Sequence, residues 1–410
     1  MADIAETTDV PQEEPKTSFI GEDAENNYRV WKKNAPYLYD YLSTNSLLWP
    51  SLTVQFFPDI THASNDVAGD YILQRLLHGT FTLGQSVIDS ISILQIPTYI
   101  NLNKHIQIDK LDYNPEKEEF EVNAPSLPKS KVLQKINQYG DVNKLSYMPQ
   151  NPNIIASANS FGEISIFERT KHKSFQKSLI DDTEANKPQL KLSAKAELFA
   201  MDWNKNREGY LVSGDTGGNI SLHDLKQFSK STQLSELKSW KGSSDVNDIE
   251  WFPTHDSLFA YVEESGDLTI RDLRGDDVIN KQLQSAINSV ATNPNIPTVL
   301  ATGDSSGTVK VWDLRNFNEP VKGFAPHSKS ITQLKWNPTH AQLLASSSTD
   351  GSVKLHAVSK EEPTIFQHLG HMLGVNDFDW SHADDWMIAS VADDNSLHVW
   401  KPTQQVQNVI

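Results

Sequence analysis

An all-β fold, a seven-bladed β-propeller preceded by one long N-terminal α-helix, is predicted by three observations on this sequence. Six segments share one phrase: VNKLSY ending at Tyr147, FAMDW at Trp203, VNDIEW at Trp251, INSVAT at Thr292, ITQLKW at Trp336 and VNDFDW at Trp380. A second marker follows each at a fixed 20 residues: Phe167, His223, Arg271, Trp312, His356 and Trp400. The step from phrase to phrase varies instead, at 56, 48, 41, 44 and 44 residues. A constant distance inside the unit and a variable one between units mean that a folded core repeats while connections accept insertions. β-runs such as IIASA, YLVSG and VLATG fill each unit, and units of about 40–45 residues with this content read as four-stranded blades.

The remaining elements follow in chain order. Residues 1–23 are polar and acidic, without an apolar run, and read as a disordered leader. Residues 24–48 read as the helix. WPSLTVQFF, 49–57, alternates and ends at Pro58. The last blade ends at Trp400, one strand short, so 49–57 is expected to close the ring as its missing outer strand and remove an open sheet edge. YILQRLLHGTF and SISILQI, within 70–96, supply a further, divergent blade. The propeller then spans 49–402, and 403–410 is a C-terminal tail.

Composition narrows the function classes. The 410 residues carry a formal net charge of −17 and ten Trp. That balance disfavours direct binding to a phosphate backbone, so no direct sequence-specific DNA binding is expected, and it favours a basic partner. The absence of Cys excludes disulfides, thiolate zinc sites and cysteine nucleophiles. No apolar run approaches the roughly 18 residues of a membrane span, so no membrane partner is expected. There is no HExxH and no compact His/Asp set. SGDTGGN, 213–219, joins two strands instead of leading into a helix, so it is a blade turn and not a phosphate loop. No catalytic residue, metal or cofactor is therefore expected. RTKHKSFQKS, 169–178, is a basic loop that is either solvated or a protein or DNA contact.

VWDLR at 311–315 and GH at 370–371 resemble the WD-repeat signature, which implies a structural His–Ser/Thr–Asp–Trp tetrad within a blade. His371, Ser390, Asp394 and Trp400 match all four positions. The preceding blade has His327, Ser346 and Asp350 with His356 in the Trp position; the one before has Thr302 and Trp312. Over nearly the whole chain, YRVWKKNAPYLYDYLSTNSLLWPSLTVQFFPD, YMPQNPNIIA, HDSLFA, VKVWDLRN and GHMLGVNDFDW resemble the retinoblastoma-binding, histone-chaperone WD-repeat family, and within it the small subunit of fungal chromatin assembly factor. The resemblance implies a non-enzymatic scaffold that binds histones H3 and H4 beside the larger subunits of that factor. It implies action in replication-coupled nucleosome assembly in the nucleus, with the cytoplasm also open. The alternative is a peptide-binding adaptor of another chromatin complex (acetyltransferase, deacetylase or methyltransferase), or one with a non-histone client.

Two candidate surfaces follow. On a helical wheel Tyr28, Trp31, Ala35, Leu38, Tyr39 and Leu42 share one arc, and Val30, Tyr37 and Tyr41 another. The first docks the helix. The second is covered either by the chain's own loops or by a partner. The resemblance implies that a histone H4 helix lies between this second arc and the loop 359–368, with Glu361 and Glu362 meeting basic side chains and Ile365 and Phe366 flooring the groove. That loop is shorter here than in many family members. The second surface is one mouth of the propeller channel, where Asp141, Asn143, Glu197, Phe199, Asp245 and Asn247 cluster at the starts of three repeats. These either solvate the mouth or, as the resemblance implies, bind an extended Arg/Lys peptide such as the H3 tail.

Overall fold

Each recurrent phrase forms the innermost strand of a four-stranded antiparallel sheet, and there are seven such sheets in the computed structural model. The structure describes residues 21–65, 69–84, 87–99, 112–114, 119–121, 129–174, 185–226, 236–275 and 278–410. The expected leader lies outside these apart from its last three residues, as do 175–178 of the basic loop. Blades 2 to 7 begin with Val142–Met148, Leu198–Trp203, Val246–Trp251, Ile287–Thr292, Ile331–Trp336 and Val375–Trp380.

The N-terminal segment departs from expectation. Helix α1 spans Glu22–Leu38, with Pro36 in its last turn, and does not continue to 48. The next residues, YDYLSTNS, form strand β1, Tyr39–Ser46. β1 pairs antiparallel with Ser396–Pro402, setting Leu42 opposite Trp400 and Thr44 opposite His398. β1, not 49–57, is therefore the outer strand that completes blade 7. The reason is alternation: Tyr39 and Tyr41 are both buried, two residues apart, which a strand achieves and a helix does not. The end of WPSLTVQFF begins strand β2, Val54–Asn65, the inner strand of blade 1, followed by Gly69–Gly79, Asp89–Tyr99 and Lys131–Gln138. Between the last two of these is a short hairpin, Asp112–Asn114 with Glu119–Glu121. After blade 7, the short helix Gln404–Gln407 folds back on the helix–strand junction. Thr403 N–H donates to the Leu38 carbonyl at 3.1 Å, and Gln407 Nε2 donates to Asp40 Oδ2 at 3.2 Å.

The recurrent phrase also joins blades. Its Asn reaches forward: Nδ2 of Asn143, Asn247, Asn288 and Asn376 donates to the carbonyls of Leu198, Ile287, Ile331 and Ser51. Its Trp reaches back: Nε1 of Trp203, Trp251, Trp336 and Trp380 donates to Ser146, Asp202, Ala291 and Lys335 carbonyls. Inner strands would leave backbone N–H groups unpaired along the channel, and buried donors need partners. Carboxylates of the preceding blade accept several of them. Asp377 and Asp379 take the N–H of Val54 and Phe56 at 3.0 and 2.8 Å, sealing blade 7 to blade 1. Asp202, Asp248 and Glu250 take those of Trp251, Val290 and Thr292. Lys335 lies 3.2 and 3.3 Å from Asp377 and Asp379, which hold its pKa up against the opposing effect of burial.

Candidate functional site

The inward face of α1 is fixed by one tryptophan. Trp31 is buried, with Tyr28, Ala35 and Leu38 packed around the same cluster. Its indole Nε1 donates to the Tyr39 hydroxyl at 2.8 Å, and that hydroxyl is 2.7 Å from His368 Nδ1. The Trp31 ring stacks on His398 at 6.0 Å between centroids and meets His368 edge-on at 5.6 Å. It lies directly over Gly370, where a Cβ would fall 2.6 Å from Cζ2 of the indole. The glycine of the GH dipeptide thus makes room for the helix.

The outward face of α1 exposes Val30 and Tyr37, at 61% and 52%. Tyr41 does not join them. It lies on β1 and is buried between blades 7 and 1, with its hydroxyl donating to the Pro97 carbonyl at 2.7 Å. Residues 359–368 split in two. Glu361 and Glu362 are exposed in a turn, whereas Thr364–His368 is the outer strand of blade 6. Phe366 is buried in that strand, 5.5 Å from the Tyr39 ring and 5.7 Å from Trp400, and so cannot floor an open groove. Ile365 is partly buried against the same cluster.

The channel mouth is also rearranged relative to expectation. Asp141 is buried: its Oδ1 accepts Thr82 N–H at 2.9 Å and Gly84 N–H at 3.5 Å, tying a loop of blade 1 to blade 2. Asn143 is buried, and its amide is committed to the Leu198 carbonyl and Glu197. Asn247 spends its amide on the Ile287 carbonyl and Glu264. Through these contacts the three residues join neighbouring blades. Phe199 and Asp245 remain exposed and Glu197 half-buried.

Comparison with known proteins bears on these surfaces. Residues 26–99 match the family model of the histone-binding protein RBBP4, which also covers the equivalent component of the CAF1 complex. Residues 279–313, 318–356 and 363–401 match the WD domain, G-beta repeat. The chain is similar to "Histone-binding protein MSI1" of Saccharomyces cerevisiae, 37% identical over 357 residues, covering 78% of this chain and 80% of the relative. The chain belongs to the histone-binding WD-repeat family. The histone-binding model covers α1 from residue 26 on, β1 and the first three strands of blade 1, the part of this family member that carries the exposed helix face.

In blade 7 of this family member, His371 Nε2 is 2.8 Å from Ser390 Oγ, which also accepts from Trp400 Nε1 at 3.2 Å. Asp394 accepts the Met372 N–H at 2.7 Å, and its Oδ1 lies 3.8 Å from His371 Nδ1, which contacts Ser396 at 2.6 Å. In blade 6, His327, Ser346 and Asp350 are joined at 2.7 and 3.0 Å, and His356 Nε2 reaches Ser346 Oγ at 2.7 Å where the indole would stand. Trp312 donates to Thr302 Oγ1 at 3.0 Å. His398 extends the blade 7 network, stacked on His371 at 4.2 Å and bonded to His368 at 3.1 Å. Burial drives His368 and His398 well below the ordinary imidazole pKa. The three buried rings, His368, His371 and His398, lie close together. His371 and His398 are stacked while His368 meets both edge-on, and the nitrogens facing Tyr39, Ser390 and Ser396 are engaged in hydrogen bonds. Tyr39, His368 and His398 form one hydrogen-bond chain, and His371 bridges Ser390 and Ser396 beside it.

Sequence reasoning missed His368 and Gly370 beneath Trp31, because their contact with the helix spans over 300 residues of chain. It also missed the exposed Phe161. Aligning the blade turns of the sequence with one another would have found it. The residue before the turn glycine is Gly217, Ser265, Ser306 and Asp350 in other blades and Phe161 in blade 2.

Proposed function

We propose that this chain is a non-enzymatic scaffold that binds histones H3 and H4 as a subunit of chromatin assembly factor, beside the larger subunits, in replication-coupled nucleosome assembly in the nucleus. The observation that carries this reading is the two-sided helix α1. One side is locked by Trp31 into the seam of blades 6 and 7, while the other holds Val30 and Tyr37 out to solvent. A fold that only needed to dock the helix would gain nothing from these exposed apolar groups. A rigid helix face with apolar anchors suits an amphipathic helical partner. Glu361 and Glu362 and the charge of −17 suit a basic one. The name of the yeast relative supports histones as that partner. On this reading Val30, Tyr37 and Ile365 contact the first helix of H4, with the 361–362 turn at one end. At the channel mouth, Glu197, Phe199 and Asp245 receive the basic H3 tail. Among the described residues no helix is long and apolar enough to cross a membrane.

The test is retention of recombinant H3–H4 by the full chain, followed by titration with a peptide of the H4 first helix. Val30→Ser with Tyr37→Ser should abolish peptide binding at an unchanged thermal midpoint. Undiminished binding by that double variant would remove α1 as the histone site.

A further inference from the structure

The turns between the second and third strands of blades 2 to 7 share a frame that ends in a left-handed residue: Gly162, Gly218, Gly266, Gly307, Gly351 and Asn395, with φ of 75, 75, 87, 86, 86 and 61°. The residue before it is small or polar in blades 3 to 7. In blade 2 it is Phe161, 71% exposed. The Phe161 ring rests on Gly140, whose φ is +81° and where a Cβ would lie 2.8 Å from the ring. Tyr139, the residue before, is 57% exposed.

On the other side of Gly140, the Asp141 carboxylate holds the N–H groups of Thr82 and Gly84. Between them Leu83 adopts φ 56° with 71% of its surface in water. A left-handed leucine is strained, and an exposed one gains little from folding. Three large apolar groups thus stand out of one sector, each on backbone that the fold fixes. The link between blades 2 and 3 passes next to this sector: a Cβ on Gly162 would fall 2.7 Å from the Ala196 carbonyl oxygen. Glu197 follows, and one blade further the Asp245 carbonyl accepts the Glu264 N–H at 3.0 Å. Both Asp245 and Glu264 are exposed.

We propose that Leu83, Tyr139 and Phe161 seat a bulky apolar side chain of an extended peptide whose Arg or Lys residues lie over Glu197, Asp245 and Glu264. The inference rests on the reading of the channel mouth as a site for basic peptides, and adds a selectivity to it. Ligands with a large apolar residue beside the basic ones are preferred over purely basic tails. The neighbouring carboxylates argue against a nucleic-acid backbone here and for a cationic peptide.

The test uses the full chain and two synthetic peptides. One has a central pair of arginines with a leucine at each end; in the other both leucines are alanine. The wild type should bind the leucine peptide about tenfold more tightly or better, as burial of one such side chain allows. Phe161→Ser and, separately, Tyr139→Ser should erase that preference, leave the alanine peptide's affinity alone and keep the thermal midpoint. Glu197→Lys with Asp245→Lys should weaken both peptides. A preference that survives both serine variants, or none in the wild type while the acids still matter, overturns the apolar seat and leaves the basic-peptide reading standing. Binding indifferent to the acids removes both.

Discussion

The Trp31 indole and the Tyr39 hydroxyl meet at 2.8 Å across the point where helix becomes strand, and His368 of blade 6 closes the same contact at 2.7 Å. One phenol thus joins the helix, the strand that follows it and blade 6, whose His368 lies 329 residues further along the chain. Burial pushes that phenol's pKa upward, so it remains a neutral hydroxyl. Trp31→Ala should therefore cost about 3–5 kcal/mol, the usual loss for a large buried ring. Tyr39→Phe keeps the ring but strands the indole and imidazole, and should cost about 1–3 kcal/mol. Gly370→Ala should act on the same contact from below by displacing the indole. Urea unfolding of the three variants checks the order. A Trp31→Ala protein as stable as wild type would mean that α1 is not held by this residue.

Tyr37 and Tyr41 share a helical arc in the sequence but not in the structure. Tyr37→Ser should leave stability nearly unchanged, since the side chain is half exposed. Tyr41→Ser removes a buried ring and a hydrogen bond to Pro97, and should cost several kcal/mol. Binding of the H4 first-helix peptide should respond in the opposite order when compared at temperatures where each variant is folded. Equal thermal midpoints for the two variants would contradict the strand assignment of Tyr41.

Deletion variants probe ring closure. Removing residues 1–20 should leave the midpoint near that of the full chain. Removing 1–46 takes away α1 and β1, leaves the Ser396–Pro402 strand as an open edge and exposes Trp400 and Phe366. That protein should unfold at much lower temperature or aggregate. Removing 1–38 isolates β1's own contribution, because the strand remains while the helix is gone. If the 1–46 and 1–38 deletions behave alike, β1 adds nothing to closure.

These contrasts mark how far the sequence could be read. The propeller was legible because its phrases are local and periodic, and the strand order follows from them. The roles of the Asn and Trp in those phrases were not, because they act on the neighbouring blade: Asn247 looks like a ligand group at a channel mouth until its amide is found on Ile287. The end of α1 was misplaced because a helical wheel gives both Tyr39 and Tyr41 a face, whereas pairing with Ser396–Pro402 decides between the two periods. Phe366 was misassigned for a related reason. An aromatic in a short segment before the last blade can face either way, and the strand register turns it inward against Tyr39.

Acid should destabilise the propeller, through its buried histidines. Burial lowers the pKa of His356, His368 and His398 well below the ordinary value, of His78 to about 4, and lowers that of His223. Below about pH 6.5 the unfolded chain takes up protons at these sites and the folded chain does not, so stability falls as pH falls, by up to about 1.4 kcal/mol per pH unit for each group. Asp202 and Glu250 oppose this. Burial raises their pKa values, so the folded form keeps protons that the unfolded chain loses above about pH 4, and stability from these two rises on acidification. Asp40, Asp89 and Asp248, whose carboxyls burial also raises, act in the same direction, and the expected outcome is that the five imidazoles outweigh the five carboxylates between pH 6.5 and 5. Below pH 4 the loss should deepen. Burial raises the carboxyls of Asp350 and Asp394, but hydrogen bonds and charge from His327 and His371 outweigh it and hold them below the usual range. Their stabilisation, complete above the unfolded carboxylate pKa, disappears as pH falls toward their folded values. His78→Met isolates one contribution, because Nδ1 of this imidazole is buried without a partner among the described residues. Urea unfolding at pH 7.5 and 5.5 should show a lower stability at 5.5 for the wild type and a smaller difference for His78→Met. Stability that is flat or higher at pH 5.5 would show that the channel carboxylates, not the histidines, set the acid response.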